Sequence, residues 1–473
     1  MASVALPRAS SLDALRVLVR ARERLAARPG LTALVFFAIV AVALAHRSMG
    51  YPLFYDDLHL IRTFTPAELL GAVTGNWDPD GIESPGYRPL SILFNHTRAA
   101  LFGDAPMPHH LFVLLLYAAF LAATARVGMA LGMTLPQVLL AGLLTLVHKN
   151  NWWHLAWLTD GNRVFGGLLF AVAAWLAVRS AADRRPRWLV GALGFGTACL
   201  LVREEFLPAA ITVPAIAFAF ARLRRAECPG GMARAAAVGV GMLAMLAAFL
   251  LVRWLLVPAS FFPPDHFPDG WWPMFQAVAQ PIGVLPAGDP RFIAWMCVLA
   301  AQLGALVVVP APSRLRALLW LGCALLSCTP AIQVLRINLG LFGITFMSLC
   351  HAELLGAVAL RHRLGLLYAS AVVAFVLAAA VPRVLTAEDA LHPASLDRIV
   401  ADADIALRPE RPPVGIPPAR LAAIRDELAR AGFDQPGNYV PKLRQLNEEL
   451  IREGRRTPDG DRLFSPLIHW MEN

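Results

Sequence analysis

Charge-poor apolar stretches of near-spanning length recur along this chain, and no water-soluble core calls for so much uninterrupted hydrophobic sequence. They fall near 31–47, 110–130, 134–148, 164–179, 188–202, 205–221, 234–257, 291–309, 315–333, 338–358 and 364–382. Hydrophobic residues make up 57% of the 473 and charged residues 16%, with a mean hydropathy of +0.56, which excludes an ordinary soluble domain. The expected fold is an all-α polytopic membrane protein, a bundle of about eleven transmembrane helices. Several stretches are shorter than the roughly 20 residues of an untilted span, so the count carries a margin of one or two.

Arginine positions set the expected orientation, because cationic loops stay cytoplasmic. The N-terminal segment 1–30 carries Arg8, Arg16, Arg20, Arg22, Arg24 and Arg28. With that segment inside, alternation puts Arg179, Arg184, Arg185 and Arg187 inside as well. The same holds for Arg222, Arg224, Arg225 and Arg234, for Arg314 with Arg316, and for Arg361 with Arg363. The opposite face receives Asp56, Asp57, the loop from Lys149 to Arg163, the turn Arg203-Glu204-Glu205 and the loop from Pro258 to Pro290. The expected location is a bacterial inner membrane, with the N-terminus cytoplasmic. The net charge of +9 lies mainly in short basic loops, where topology and anionic lipid account for it, so nucleic acid is not an expected partner.

The segment 90–103 is apolar enough to suggest another span, yet counting it would invert every later loop. It reads instead as an interfacial amphipathic helix, one of two expected in a long outer loop over 46–109. The first apolar run follows a basic segment and has no small-residue cleavage site, so it is expected to remain as a span. The membrane domain covers 31–382. From 383 to 473 hydropathy drops, prolines cluster between Pro409 and Pro418, and helical spacing returns at Leu421, Ile424 and Leu428 and at Leu443, Leu446 and Leu450, which predicts a small extracytoplasmic helical tail. The six cysteines make no disulfide framework: Cys199, Cys297, Cys323, Cys328 and Cys350 lie in predicted spans and read as small buried hydrophobes.

Polar residues recur on the predicted outer face: Asp56 and Asp57, Gly86-Tyr87-Arg88-Pro89-Leu90, His148 with Lys149, Asn150 and Asn151, Trp157 through Arg163, Arg203-Glu204-Glu205, and Arg336 with Asn338. A single arginine at a helix end usually snorkels to a headgroup. Several on one face point to a site, or else to an ion-pair network that closes loops.

In this order the motifs resemble the GT-C superfamily of polyprenyl-phosphate-sugar-dependent glycosyltransferases, in particular the protein O-mannosyltransferase branch and its tetratricopeptide-bearing relatives. The resemblance covers roughly 30–360 and rests on Tyr55-Asp56-Asp57, Arg88-Pro89-Leu90, Ala156-Trp157 with Gly161-Asn162-Arg163, Arg203-Glu204 with Pro208, and Arg336. It departs from the family in having Arg203-Glu204-Glu205 in place of a Lys-Glu step, in Ile337-Asn338-Leu339-Gly340 after the late arginine, and in lacking a tetratricopeptide array. The resemblance implies transfer of a sugar from a polyprenyl-phosphate donor to an acceptor hydroxyl on a glycan, lipid or protein, with inversion. Asp56 matches the family's first acidic residue and is the expected general base, with Asp57 orienting it or the acceptor. Arg88, Arg163, Arg203 and Arg336 are candidates for the donor phosphate, with Lys149 a further one, and Glu204 is expected to pair with an arginine.

Asp56, Asp57, His59 and Glu205 could form a hard-ligand metal site, but the branch resembled generally uses none, so neither metal nor cofactor is expected. His109-His110 and Trp152-Trp153-His154 read as interfacial belt residues. Two other classes remain in view: a transporter or flippase for a lipid-linked glycan, and an inactive membrane scaffold of the same architecture. A transporter is expected to carry ionisable or helix-breaking residues near the bilayer midplane, and Glu353 is the main acidic residue inside a predicted span.

Overall fold

Proline opens six of the helices, because its fixed φ suits the first helical position and its missing N–H removes a donor that would have no partner there. Pro29, Pro66, Pro89, Pro106, Pro186 and Pro290 each begin one. The structure is a computed structural model that describes residues 27–46, 48–50, 53, 57–79, 86–148, 151, 154–155, 157–257, 278–279, 290–329, 340–361, 363–390 and 449–455. Among these residues the chain is all-helical. In order the helices are α1 Pro29–Ala45, α2 Asp57–Leu60, α3 Pro66–Thr74, α4 Pro89–Phe102, α5 Pro106–Ala130, α6 Leu135–Leu146, α7 Gly161–Ala182, α8 Pro186–Val202, α9 Ala209–Leu223, α10 Gly231–Leu256, α11 Pro290–Val308, α12 Ala311–Ser327, α13 Leu341–Ala359 and α14 Arg363–Ala390.

Seven segments among the described residues are long and apolar enough to cross a membrane: Pro106–Ala130, Leu158–Ala182, Glu204–Leu223, Gly231–Leu256, Pro290–Val308, Leu341–Ala359 and Arg363–Pro382. This is compatible with a multi-pass membrane protein. The other four predicted stretches are also helical but shorter: α1, α8 and α12 have 17 residues each and α6 has 12. The helix α14 runs past the predicted boundary at 382, through Pro382 to Ala390.

Two helices form the interior. The helix α7 packs against α5, α8, α9 and α10, and α13 packs against α6, α11, α12 and α14. Both are buried around most of their circumference. By contrast α10, α11 and α14 bury only a narrow face and leave residues such as Val240, Val307 and Leu364 exposed. Helices apolar all round yet covered on one side have an outer surface suited to lipid. Where helices approach closely, a glycine makes room. The Phe37 ring of α1 fills a notch at Gly142 of α6, and Met242 of α10 seats on Gly196 of α8. An aromatic column ties α7, α12 and α13 together. In it Phe342 meets Phe206 edge-on at 4.7 Å and Phe170 at 5.0 Å, while Phe346 stacks on Trp320 at 6.0 Å.

Charges sort to the two ends of this bundle. At one end Arg234 of α10 donates to the Ala181 carbonyl at the close of α7, and Arg316 of α12 bonds the Leu131 carbonyl and, at 2.7 Å, the buried Glu353 of α13. Glu353 thus belongs to an ion pair nearly two turns inside the end of α13. At the opposite end of α7 lies Arg163, with the acidic and basic residues described below. Three sequence expectations change: His154, read with Trp152 and Trp153 as a belt residue, is fully buried, and the two tryptophans lie outside the described residues. His109 and His110 are buried at the start of α5, His109 with its Nε2 2.9 Å from the Gly103 carbonyl, so they are not belt residues. Cys297 is exposed on α11, unlike the buried Cys199, Cys323, Cys328 and Cys350.

Candidate functional site

The site is built around a short turn. Helix α8 ends at Val202, whose carbonyl accepts a 2.7 Å hydrogen bond from Ser91 Oγ on α4. Arg203 is extended, and Glu204–Phe206 make one 3-10 turn before α9 begins. The Phe206 ring sits directly over Gly166 of α7, at a distance that no side chain at 166 would permit. This contact fixes the turn against α7 and sends its two glutamates to different partners.

Glu204 faces α4 and α10. Its carboxylate accepts from Arg88 Nε at 2.5 Å and from the Tyr87 backbone N–H at 3.1 Å, and Arg253 Nη2 lies 3.7 Å away. Arg88 is held from the other side by Trp77, with its guanidinium carbon 4.7 Å from the ring centroid. Gly86 lets the loop close here, since a Cβ at that position would lie 2.9 Å from Glu204 Oε1 and 3.1 Å from Trp77. Its N–H bonds Asn76 Oδ1 and its carbonyl accepts from the Trp77 N–H, each at 3.0 Å.

Glu205 faces α7. Arg163 Nε lies 2.9 Å from its carboxylate and Arg203 Nε 3.6 Å from it. Arg163 also donates through Nη1 to Asp160 on the preceding turn. His154 Nδ1 comes within 3.4 Å of Asp160, yet no hydrogen bond forms. Burial, and then the Arg163 charge, push the imidazole down to about 3, so the ring is neutral at physiological pH.

Asp57 opens α2 and is completely buried. Its Oδ1 accepts from the Thr159 N–H at 2.7 Å and from Thr159 Oγ1. Beside it, Arg98 of α4 donates to the Leu158 carbonyl at 3.2 Å and to Asn95 Oδ1 at 2.8 Å. Burial lowers the Arg98 guanidinium to about 10 while Asp57 opposes the shift, so it stays cationic at neutral pH. Three contact groups therefore adjoin along the backbone: Asp57 with Thr159, then Asp160 with Arg163, Glu205 and Arg203, then Glu204 with Arg88 and Arg253.

Of the residues singled out in the sequence, Asp57, Arg88, Arg163, Arg203 and Glu204 share this end of the bundle. Asp56, Lys149 and Arg336 lie outside the described residues. Glu204 pairs with an arginine, as expected of it. Sequence reading missed Arg253 and Arg98. Arg253 sits in the last turn of an apolar run and is silent to a hydropathy window, although an arginine at the end opposite the basic loops is a departure from the charge alternation. Arg98 is the one cation in a helix otherwise made of apolar and neutral polar residues, with His96 beside it.

Among the described residues no three His, Cys, Asp or Glu side chains are grouped so as to hold a metal ion. The acidic groups here instead neutralise guanidinium groups. Such a site can take up an anion by exchange, a phosphate oxygen replacing a carboxylate oxygen on an arginine fork that is already oriented. No family model matches this sequence, and no curated protein matches it.

Proposed function

We propose that this chain is an integral-membrane glycosyltransferase that moves a sugar from a polyprenyl-phosphate donor to an acceptor hydroxyl at the outer membrane surface. The observation that carries the reading is the gathering of Asp57, Arg88, Arg163 and the adjacent Arg203 and Glu204, from four separate stretches of sequence, at one end of an apolar helical bundle. In this reading all eleven apolar stretches cross or enter the membrane, the basic end faces the bacterial cytoplasm, and the Asp57 end faces outward.

The chemistry needs no nucleotide. Asp56 accepts the proton of the acceptor hydroxyl as that oxygen bonds the anomeric carbon from the face opposite the phosphate. The carbon–oxygen bond to phosphate breaks with its electron pair, and the polyprenyl phosphate leaves with inversion. Arginines stabilise the charge that builds on the departing phosphate, which is worth most where water is scarce. Arg88, Arg203 and Arg253 are the best placed, because Arg163 is committed to two carboxylates. Asp57, buried on Thr159, orients the segment that carries Asp56.

One specific observation favours a second reading. Carboxylates accompany Arg88, Arg163, Arg203 and Arg253 in the structure, as in a network that only closes loops and that would suit an inactive scaffold. The discriminating experiment uses the full chain in liposomes with a radiolabelled polyprenyl-phosphate sugar and a hydroxyl acceptor. Transfer by the parent and its loss in Asp56→Asn is the expected result. Undiminished transfer by Asp56→Asn removes the base, and movement of intact donor between leaflets without transfer identifies a flippase.

A further inference from the structure

The opposite end of the bundle carries a second cationic cluster of a different kind. Trp175 of α7 and Trp188 of α8 meet edge to face, 6.1 Å between centroids and 80° between planes. Three guanidinium groups from three helices lie over this indole pair: Arg126 of α5 at 5.4 Å from Trp175, Arg179 of α7 at 5.2 Å from Trp188, and Arg187 of α8 at 4.6 Å from Trp188. All three arginines are exposed and, among the described residues, none is held by a hydrogen bond, although the Arg179 charge is attracted to Asp183. The nearby carboxylate is already engaged, since Asp183 accepts from Trp188 Nε1 at 3.1 Å and lies 3.3 Å from Arg185 Nε. Stacking on indole therefore orders three planar cations while leaving their N–H edges available, the arrangement that captures phosphate oxygens.

Apolar surface begins right beside the cluster. Arg126 lies against Gly30 at the start of α1, where Leu31 and Val35 are about half exposed, and Val190 of α8, two residues past Trp188, is 68% exposed. A free phosphate would use the cations alone, whereas a lipid would use both surfaces. The geometry points to a binding site for an anionic phospholipid, with its phosphate on Arg126, Arg179 and Arg187, its glycerol on the indole pair and its acyl chains along α1 and α8. Indoles prefer the headgroup level, and each nearby arginine adds to the attraction for an anionic lipid. The site is separate from the Asp57 end and independent of the reaction proposed there.

The test is native mass spectrometry of the purified full chain in detergent, titrated with phosphatidylglycerol or with phosphatidylcholine of matched acyl chains. Preferential retention of phosphatidylglycerol is expected, and the triple variant Arg126→Gln/Arg179→Gln/Arg187→Gln is expected to lose at least about tenfold in that retention. Millimolar inorganic phosphate is expected not to displace the lipid. Equal retention of the two lipids by the parent, displacement by inorganic phosphate, or retention in the triple variant equal to the parent's each overturns the site. Should the triple variant fail to fold, the exposed single substitution Arg187→Gln is read instead. It is expected to show about a fivefold loss, and no loss overturns the proposal.

Discussion

Arg163 and Glu205 stand 42 residues apart in the chain, yet Arg163 Nε lies 2.9 Å from the Glu205 carboxylate with both side chains almost fully enclosed. The pair fastens the start of α7 to the turn between α8 and α9. Removing one member of a buried pair leaves the other charge without solvent or partner, which costs more than the intact pair contributes. Arg163→Ala is accordingly expected to lose about 3–5 kcal/mol, because Asp160 and Glu205 both lose a buried guanidinium partner. Arg163→Lys recovers only part of this, since one ammonium cannot reproduce a guanidinium bonded to two carboxylates. Thermal unfolding in detergent checks both, and a parental Tm for Arg163→Ala would refute the enclosed pair.

The seat of Phe206 on Gly166 gives a test that does not involve charge. Gly166→Val should force the ring off α7 at a cost of about 1–3 kcal/mol, as overpacked cores do. Phe206→Ala should cost about 3–5 kcal/mol through the vacated volume and the lost edge contact with Phe342. In the double variant the valine methyls occupy space the ring gave up. The two losses should therefore fall short of additivity by about 1–2 kcal/mol. Strict additivity in a double-mutant cycle would mean that the two positions do not touch.

How far these features were legible follows from which forces act locally. Hydropathy alone marked the helices, because burial in lipid or protein demands apolar side chains wherever a helix goes, and alternating basic loops marked which ends belong together. The same alternation, which a further span at 90–103 would invert, marked α4 as a helix outside the spanning set. The partners were not legible. Glu204 reaches Arg88 across 116 positions, and nothing in either segment encodes that distance. Nor could composition distinguish a histidine at the headgroup level from His109, whose ring is enclosed by the return of the chain at Gly103. Arg253 escaped because one cation barely moves the mean of a long apolar run.

Arg253 is the residue whose replacement separates binding from folding. Glu204 would still hold Arg88 and the Tyr87 N–H if Arg253 were lost, and at 3.7 Å the Arg253 contact is too long for a hydrogen bond. Arg253→Leu keeps the Glu204–Arg88 bond and is expected to cost less stability than Arg163→Ala. If Arg253 helps hold the donor phosphate, the same variant should raise KM for the polyprenyl-phosphate sugar about tenfold with kcat changed less. An unchanged KM alongside an unchanged Tm would place Arg253 outside the donor site.

Acid should loosen the contact between α3 and the segment 449–455. Glu68 closes the capping box of α3 by accepting from the Thr65 N–H at 2.5 Å, and it also takes Arg62 Nη1 at 2.8 Å and Arg455 Nη2 at 2.9 Å. Arg455 extends the clamp to the Thr63 carbonyl. Burial on its own would raise the Glu68 carboxyl, but the Thr65 N–H and then the Arg62 charge outweigh it and bring the group from 4.5 down to about 2. The folded protein thus binds this proton more weakly than the unfolded chain. The stabilisation is complete above the unfolded value and is lost as pH falls from about 4.5 toward 2. Hydrogen exchange, corrected for intrinsic rates, should show protection at 66–74 and 449–455 declining together across that window. In Glu68→Gln protection should be lower throughout and nearly independent of pH there. Protection that persists in the parent at the acid end would mean that neither the cap nor the Arg455 clamp depends on the ionised carboxylate.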